Sequence, residues 1–281
     1  MPDDSRPPAP QPGLVSLDQL VADLRALGLR PGQDLLIHCS LRRIGRIDGG
    51  AATVLTALQE VAGPRATLVV PAQTAGNSFS SPAFRTATAG LDREQRARYI
   101  AAMPGFDPAS TPSAGMGVFA EYLRTRQPAC RSAHPQSSFA AIGPGARACT
   151  RVHDLDCHLG ERSPLGWLYT AGAAIALLGV GYSACTAFHL AEYRLPGEPP
   201  RRSYQCFVSE DGKRAEREFD DIDLDDSDFA LLGAELESTV GLDGSSPLRG
   251  GKVGAAECRL IPLRLAVDFG CPWLISHRRR A

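Results

Sequence analysis

Two kinds of hydrophobic spacing alternate along the first third of the chain. In LDQLVADLRALGL (residues 17–29) apolar positions recur every three or four residues, which lines one face of a helix. Ser16 stands where an N-cap belongs, and GLRPGQ supplies the glycine and proline that end the helix. DLLIHCS (34–40) is a short continuous apolar run and reads as a buried strand. A glycine-opened helix over GGAATVLTALQEVAG (49–63) and a strand over ATLVVPA (66–72) follow. This rhythm predicts an α/β core.

Residues 73–112 break the pattern: Gly, Ser, Thr and Pro dominate the start, and only LDREQRARYIAAM has helical character. A segment this long inside a compact domain is usually functional. Periodicity returns with a helix over MGVFAEYLRTR (116–126), a strand over SFAAIG (138–143), a short helix near ARACTRVHD and a capped helical turn at SPLGWLYTAG (163–172). AAIALLGVG (173–181) is the clearest buried strand. After about residue 200, RRSYQCFVSEDGKRAEREF alternates around EDGK, a hairpin signal. DDIDLDDSDFALLGAELEST is an acid-rich lead into a helix, and KVGAAECRLIPLRLAVDFGCPWLI predicts a closing strand and helix. No internal repeat is visible.

With 281 residues, 43% of them apolar, the chain is long enough for one full core. The reading is a single domain over 16–281, with 200–250 a smaller subregion, behind a Pro-rich, acidic lead at 1–15 that is expected to be disordered. That lead has no basic n-region followed by an apolar stretch, so it does not read as a secretory signal. Net charge is −1, which argues against nucleic acid or an anionic membrane as partner. No apolar run approaches the ~20 residues a spanning helix needs. The eight cysteines are scattered without a CxxC pair, which suggests buried free thiols and a cytoplasmic location. His153, Cys157 and His158 lie close together but do not form a metal pattern, so no metal is expected.

One stretch invites chemistry. SACTAFHLAEYR (183–194) places Thr186, His189 and Glu192 where the aliphatic strand runs out. A lone histidine is more often structural, but other motifs accompany this one. IHCSLRRIGRIDGG, TLVVPAQT, FDPASTPSAGMG, RSAHPQSSFAAIG, SPLGWLY, ALLGVGYSACTAFHLAE and FDDIDLDDSDF occur in the order found in aminoglycoside 3-N-acetyltransferases. The resemblance runs from about Leu17 to about Ile275. It implies acetyl transfer from acetyl-CoA to an amine, with a coenzyme A thioester and an amine-bearing small molecule as partners. It implies a different fold from the common acetyltransferases with a pyrophosphate loop, which RRIGRIDGG resembles only superficially. The expected architecture is α/β, a mixed central sheet with helices on both faces plus a smaller α+β region toward the C-terminus, in a monomer or homodimer.

The resemblance also implies roles. His189 matches the general base of the HLAE motif. An alkylammonium with a pKa of about 10 cannot attack a thioester until it loses a proton, and imidazole suits that task near neutrality. The orienting acid is expected in DDIDLDDSD (220–228), which holds six aspartates. Asp223 ranks first and Asp221 second, because a spacing of two puts both on one face of an extended segment. Asp225, Asp226 and Asp228 read as solvated charges at a helix start. The family often has Glu at the acting position, whereas every member here is Asp. Glu192 shares a helix face with His189, and either binds the substrate amine or forms a salt bridge. Thr186 is a candidate donor to the thioester oxygen. On the coenzyme side the resemblance implies His38, Ser40, Leu41, Thr74, Arg131, Ser132, His134, Ser137 and Ser163. Asp107 and Glu192 are candidates for binding the acceptor. Cys39 stands where the family carries Ser, which raises the question of a Cys39–His189 dyad, although the family implies direct transfer. Cys185 reads as a packed thiol. The 73–105 insertion, expected to line the acceptor side, carries Arg85, Arg93, Arg96 and Arg98 against Asp92 and Glu94, and this excess suggests an acceptor of lower positive charge. Two alternatives stand beside this reading: an acyltransferase of the same fold acting on a biosynthetic amine, and a binding protein without turnover.

Overall fold

Strand residues in this chain sort by parity into two cores, and that sorting builds the layers. The computed structural model describes residues 13–242 and 246–278. Its strands are β1 (Leu35–Cys39), β2 (Leu68–Pro71), β3 (Cys130–Arg131), β4 (Phe139–Ile142), β5 (Ala174–Leu178), β6 (Arg201–Glu210), β7 (Lys213–Ile222), β8 (Arg249–Val253) and β9 (Ala256–Pro262). Its helices are α1 (Leu17–Ala26), α2 (Leu41–Ile44), α3 (Ala51–Ala62), α4 (Pro82–Thr88), α5 (Arg93–Ala102), α6 (Gly117–Arg124), α7 (Ala146–Thr150), α8 (Pro164–Ala171), α9 (Phe188–Tyr193), α10 (Phe229–Val240) and α11 (Leu263–Arg278).

Seven strands form a mixed sheet in the order β3-β4-β2-β1-β5-β9-β8. β1 is parallel to both β2 and β5, and the other pairings are antiparallel. Leu35 and Ile37 of β1, with Leu68, Val70, Ala174, Ala176 and Leu178, pack under α1, α3 and α6. Leu36, Val69, Ile175 and Leu177 face the other way, into a core closed by α7 to α11. Successive strand side chains point to opposite faces, so a strand covered on both sides must be apolar at every position. That is why AIALL of β5 is buried throughout. Each such Leu, Ile or Val contributes about 1.5–3 kcal/mol.

Local sequence rules hold at the ends of elements. The Ser16 hydroxyl accepts the Gln19 N–H at 3.2 Å and starts α1. The β6–β7 hairpin turns at Asp211-Gly212, both at positive φ (50° and 75°), the combination an Asp-Gly hairpin turn favours. The expected lead at 1–15 falls mostly outside the described residues. Its last residues are described, and Val15 bridges to Ile47.

Three expectations change. The closing "strand and helix" is a β8–β9 hairpin followed by α11. β3, two residues long, has no sequence signature. The 73–112 segment contains two helices, α4 and α5, and it packs on the β6–β7 hairpin. Ser78 and Phe106 bridge to Cys206 and Val208, and Phe84, Met103 and Phe207 form a small separate core. Among the described residues no helix is long and apolar enough to cross a membrane.

Candidate active site

The parallel strands β2, β1 and β5 all end on one side, and a cleft of about 510 Å³ opens there. Open α/β sheets bind ligands outside the carboxyl ends of their strands. Cys39 and Ser40 at the end of β1, Pro71 of β2 and Val180 beyond β5 line it, with Met116, Gly117 and Val118 at the start of α6. Gly179 makes the geometry possible. It sits at φ 68°, and a Cβ there would meet those of Arg43 and Ala256 at 3.0 and 3.1 Å. The chain therefore turns sharply after β5 and carries Cys185, Thr186 and α9 back over the cleft.

His189, in the first turn of α9, lines this cleft with its side chain 13% exposed. Its Nδ1 donates to Glu192 Oε2 at 2.5 Å, one helical turn on, and Phe229 of α10 packs against the ring at 4.6 Å between centroids. Glu192 is almost fully buried, at 3% side-chain exposure. Its second oxygen, Oε1, accepts the Asp225 N–H at 3.1 Å and Arg278 Nη1 at 2.5 Å. Every partner of Glu192 is a donor, which suits an acceptor-only carboxylate. With Nδ1 carrying the proton it donates, Nε2 is the nitrogen of His189 that can accept one.

Two more cleft groups have defined states. His38 is buried, its Nε2 has no hydrogen-bond partner among the described residues, and burial pulls its pKa down to about 4, so the ring is neutral. Burial, with a further push from Cys258, raises the Cys39 thiol to about 12, which keeps it protonated. Cys39 and Cys258 both pair with Leu178, from opposite sides of β5, so two strand spacings separate them and no disulfide can bridge the gap.

A sequence profile of the family described as aminoglycoside 3-N-acetyltransferase matches residues 36–275. The chain belongs to the aminoglycoside 3-N-acetyltransferase family. Aminoglycoside N(3)-acetyltransferase VII of Streptomyces paromomycinus is 37% identical over 272 residues, which cover 93% of this chain and 92% of that one. The crystal structure of YokD from Bacillus subtilis superposes with a TM-score of 0.86 at 32% identity, covering 95% of this chain and 96% of that one. A structure of AAC-IIIb in binary complex with CoASH superposes with a TM-score of 0.79 at 28% identity, covering 94% and 97%.

Within this acetyltransferase-family fold the expected site residues divide. His38, Ser40, Leu41, Thr186 and His189 line one cleft. The acidic cluster does not supply the acid on His189. Asp221 is buried and pairs with a different histidine: its Oδ2 accepts the backbone N–H and Nδ1 of His158, both at 2.7 Å, and the Tyr193 hydroxyl at 2.5 Å. Burial alone would raise its pKa, but the bonds from His158 and Tyr193 outweigh it and hold the carboxyl below its ordinary value. Asp223 is half-exposed and meets Arg202 Nη1 at 3.3 Å. The face shared by 221 and 223 disappears because β7 ends at Ile222, and strand alternation ends with it. Glu192 occupies the position the sequence reading gave to Asp223.

The coenzyme-side arginine is also placed elsewhere. Arg131 Nε donates to Ser138 Oγ at 3.0 Å, Nη2 to the Ala72 carbonyl at 2.5 Å and Nη1 to the carbonyls of Thr111 and Pro108. Burial lowers its pKa to about 10, and the guanidinium acts as a clamp between loops rather than a phosphate fork. Ser132, His134 and Ser137 belong to a buried network. The Ser132 hydroxyl bonds His153 Nδ1 at 2.9 Å, Ser137 Oγ donates to the His158 carbonyl at 2.8 Å, and His134 Nδ1 accepts the N–H groups of Gln136 and Ser137 at 3.1 Å. Thr74 Oγ1 donates to the Pro135 carbonyl at 2.5 Å, and Ser163 caps α8 by accepting the Leu165 N–H at 3.2 Å. Asp107 closes a local turn with Ser110 Oγ at 2.7 Å and the Ala109 N–H at 2.9 Å. None of these lines the cleft, and neither do Arg85, Arg93, Arg96 or Arg98. Of the 73–105 segment only Gln73 reaches it.

Sequence reasoning passed over Asp226, read as a solvated charge, which lines the cleft beside His189 and Phe229. Its signal was weak: three residues before a helix that packs Phe229 on the ring of His189. Arg278 had no signal, since it lies 86 residues from Glu192.

Proposed function

We propose that the protein transfers the acetyl group of acetyl-CoA directly to an amino group of an aminoglycoside or a related amine, with Nε2 of His189 as general base. The observation that carries this reading is the His189–Glu192 pair set into the cleft at the ends of the parallel strands. Membership of the family and the coenzyme-bound AAC-IIIb structure support it.

The steps follow from the geometry. The acceptor enters as an ammonium. His189 takes a proton from its nitrogen, and the freed lone pair attacks the thioester carbon. Charge then develops on the thioester oxygen, where the hydroxyl of Thr186 is the candidate donor. The C–S bond breaks and releases the coenzyme thiolate, which recovers the proton from His189, and the new amide nitrogen passes its remaining extra proton to the freed imidazole and on to solvent. Neutral His38, with an unpartnered Nε2, and Ser40 and Leu41 face the coenzyme arm. Asp226 holds a second ammonium of the acceptor. The arginines of α4 and α5 do not line the cleft, so no contact from them favours an acceptor of lower positive charge.

The test is free-thiol release in mixtures of protein, acetyl-CoA and a panel of aminoglycosides and simpler amines. Rapid release on at least one amine, with the mass of the acetylated amine, is expected. Tight coenzyme binding without release on any amine would support a binding protein instead. Direct transfer also predicts that Cys39→Ser keeps most of the activity, because a thiol raised to about 12 offers almost no thiolate. Loss of turnover in that variant, together with a trapped adduct of about 42 Da on Cys39 in intact-protein mass spectrometry, would establish an acyl-enzyme.

A further inference from the structure

We propose that Arg278, at the end of α11, is a positioning residue of the site, holding Glu192 in the rotamer that faces His189 and moderating the carboxylate's grip on the imidazole proton. The geometry is a relay across three elements. Arg278 Nη1 holds Glu192 Oε1 at 2.5 Å, and Glu192 Oε2 holds His189 Nδ1 at 2.5 Å. The rest of the guanidinium is fixed too. Its Nε and Nη2 form a fork on Asp228 at 2.8 and 2.7 Å, and Nη2 also reaches the Asp225 carbonyl at 2.5 Å. A planar fork with one edge on Asp228 and one nitrogen on Glu192 fixes the carboxylate's orientation in a way a flexible ammonium does not.

Electrostatics give the sign. The groups facing His189 or lining its cleft are Glu192 on its own helix, Asp225 and Asp226 on the acidic segment, His158 behind it, Arg278 on α11, and His38, Arg42 on α2 and the thiols of Cys39 and Cys185 across the cleft. Arg278 is the permanent cation bonded to Glu192, whereas Arg42 lines the cleft without a bond to that carboxylate among the described residues. Removing Arg278 leaves the charge of Glu192 uncompensated, so the carboxylate attracts a protonated imidazole more strongly. His189 then keeps its proton to higher pH.

Arg278→Met is therefore expected to lower kcat about 10-fold and move the acidic limb of the pH–rate profile up by about one unit, with the KM for acetyl-CoA unchanged. Arg278→Lys should hold the limb near its wild-type position while recovering only part of kcat. In a Glu192→Gln background, Arg278→Met should move the limb no further. The inference rests on His189 as the base, so an NMR titration of the His189 ring in wild type and Arg278→Met separates the two. A raised midpoint without turnover on any amine keeps the relay and removes the proposed reaction. An unmoved midpoint, in a variant whose circular dichroism and Tm show it folded, overturns the relay. If Arg278→Met does not fold, Arg278→Lys decides: a limb shifted as far as loss of the cation requires would also overturn it.

Discussion

His189→Ala is expected to lower kcat at neutral pH by about 10²-fold or more while leaving coenzyme affinity nearly intact, as read by steady-state kinetics and coenzyme titration. General base catalysis is typically worth ~10²–10⁴-fold, and neither the other cleft imidazole nor the Cys39 thiol is suited to replace it. His38 is neutral but held near pKa 4, too weak a base, and the Cys39 thiol stays protonated. The loss should shrink as pH rises toward the acceptor's own pKa of about 10, since an amine already free of its proton needs no base. Coenzyme affinity should survive because the proposed coenzyme contacts, Ser40 just after β1 and Leu41 at the start of α2, do not depend on the imidazole. A variant with unchanged kcat at neutral pH would remove His189 from the mechanism.

Glu192→Gln should come close to that loss, for a reason of hydrogen-bond arithmetic. The carboxylate accepts from three donors: His189 Nδ1 on one oxygen, Arg278 and the Asp225 N–H on the other. An amide has one acceptor oxygen. The side holding a guanidinium and a backbone N–H claims it, which turns the amide NH₂ toward Nδ1. His189 then presents Nδ1 as acceptor and carries its proton on Nε2, the nitrogen that must be bare. Loss of a base through its tautomer is as severe as weakening it, so a fall of about 10²-fold is expected, with any residual activity showing its acidic limb at lower pH because the carboxylate that favours the imidazolium is gone. Asp223→Asn, on a half-exposed pair with Arg202, should match wild type. Asp221→Asn should lower Tm, since it disturbs the buried bonds to His158 and Tyr193, without moving the limb. A limb that follows Asp221 or Asp223 instead of Glu192 would reverse this assignment.

What the sequence made legible was whatever is carried by spacing. AAIALLGVG reads as a buried strand and contains β5, buried throughout, and EDGK reads as a hairpin signal and holds the Asp211-Gly212 turn of β6–β7. His189 and Glu192 were readable as a pair because i and i+3 share a helical face. The resemblance points to the acidic cluster for the acid, and strand parity groups Asp223 with Asp221, but β7 stops one residue short of Asp223 and the carboxylate bonded to His189 is Glu192. Arg131, Ser132, His134 and Ser137 look like ligand chemistry in a motif, yet their polar atoms are engaged with protein groups. A linear motif shows that polar atoms need partners, not whether the partner is a ligand or a carbonyl. Arg278 was invisible because its contact spans 86 residues and follows no period.

The parity of β1 has a consequence for how this chain can vary in length. Leu36 faces the core built by α7 to α11, and His38 shares its parity, while Leu35 and Ile37 face the other core. One inserted residue between Leu35 and His38 would exchange the two faces beyond it and turn the histidine away from α9. Packing and chemistry therefore share one register here, and an insertion that damages either damages both. The Asp211-Gly212 tip of the β6–β7 hairpin is exposed and lies outside the cleft. Among relatives of this chain, added or lost residues belong at such tips, and the five positions of β1 should keep their length however far their side chains drift.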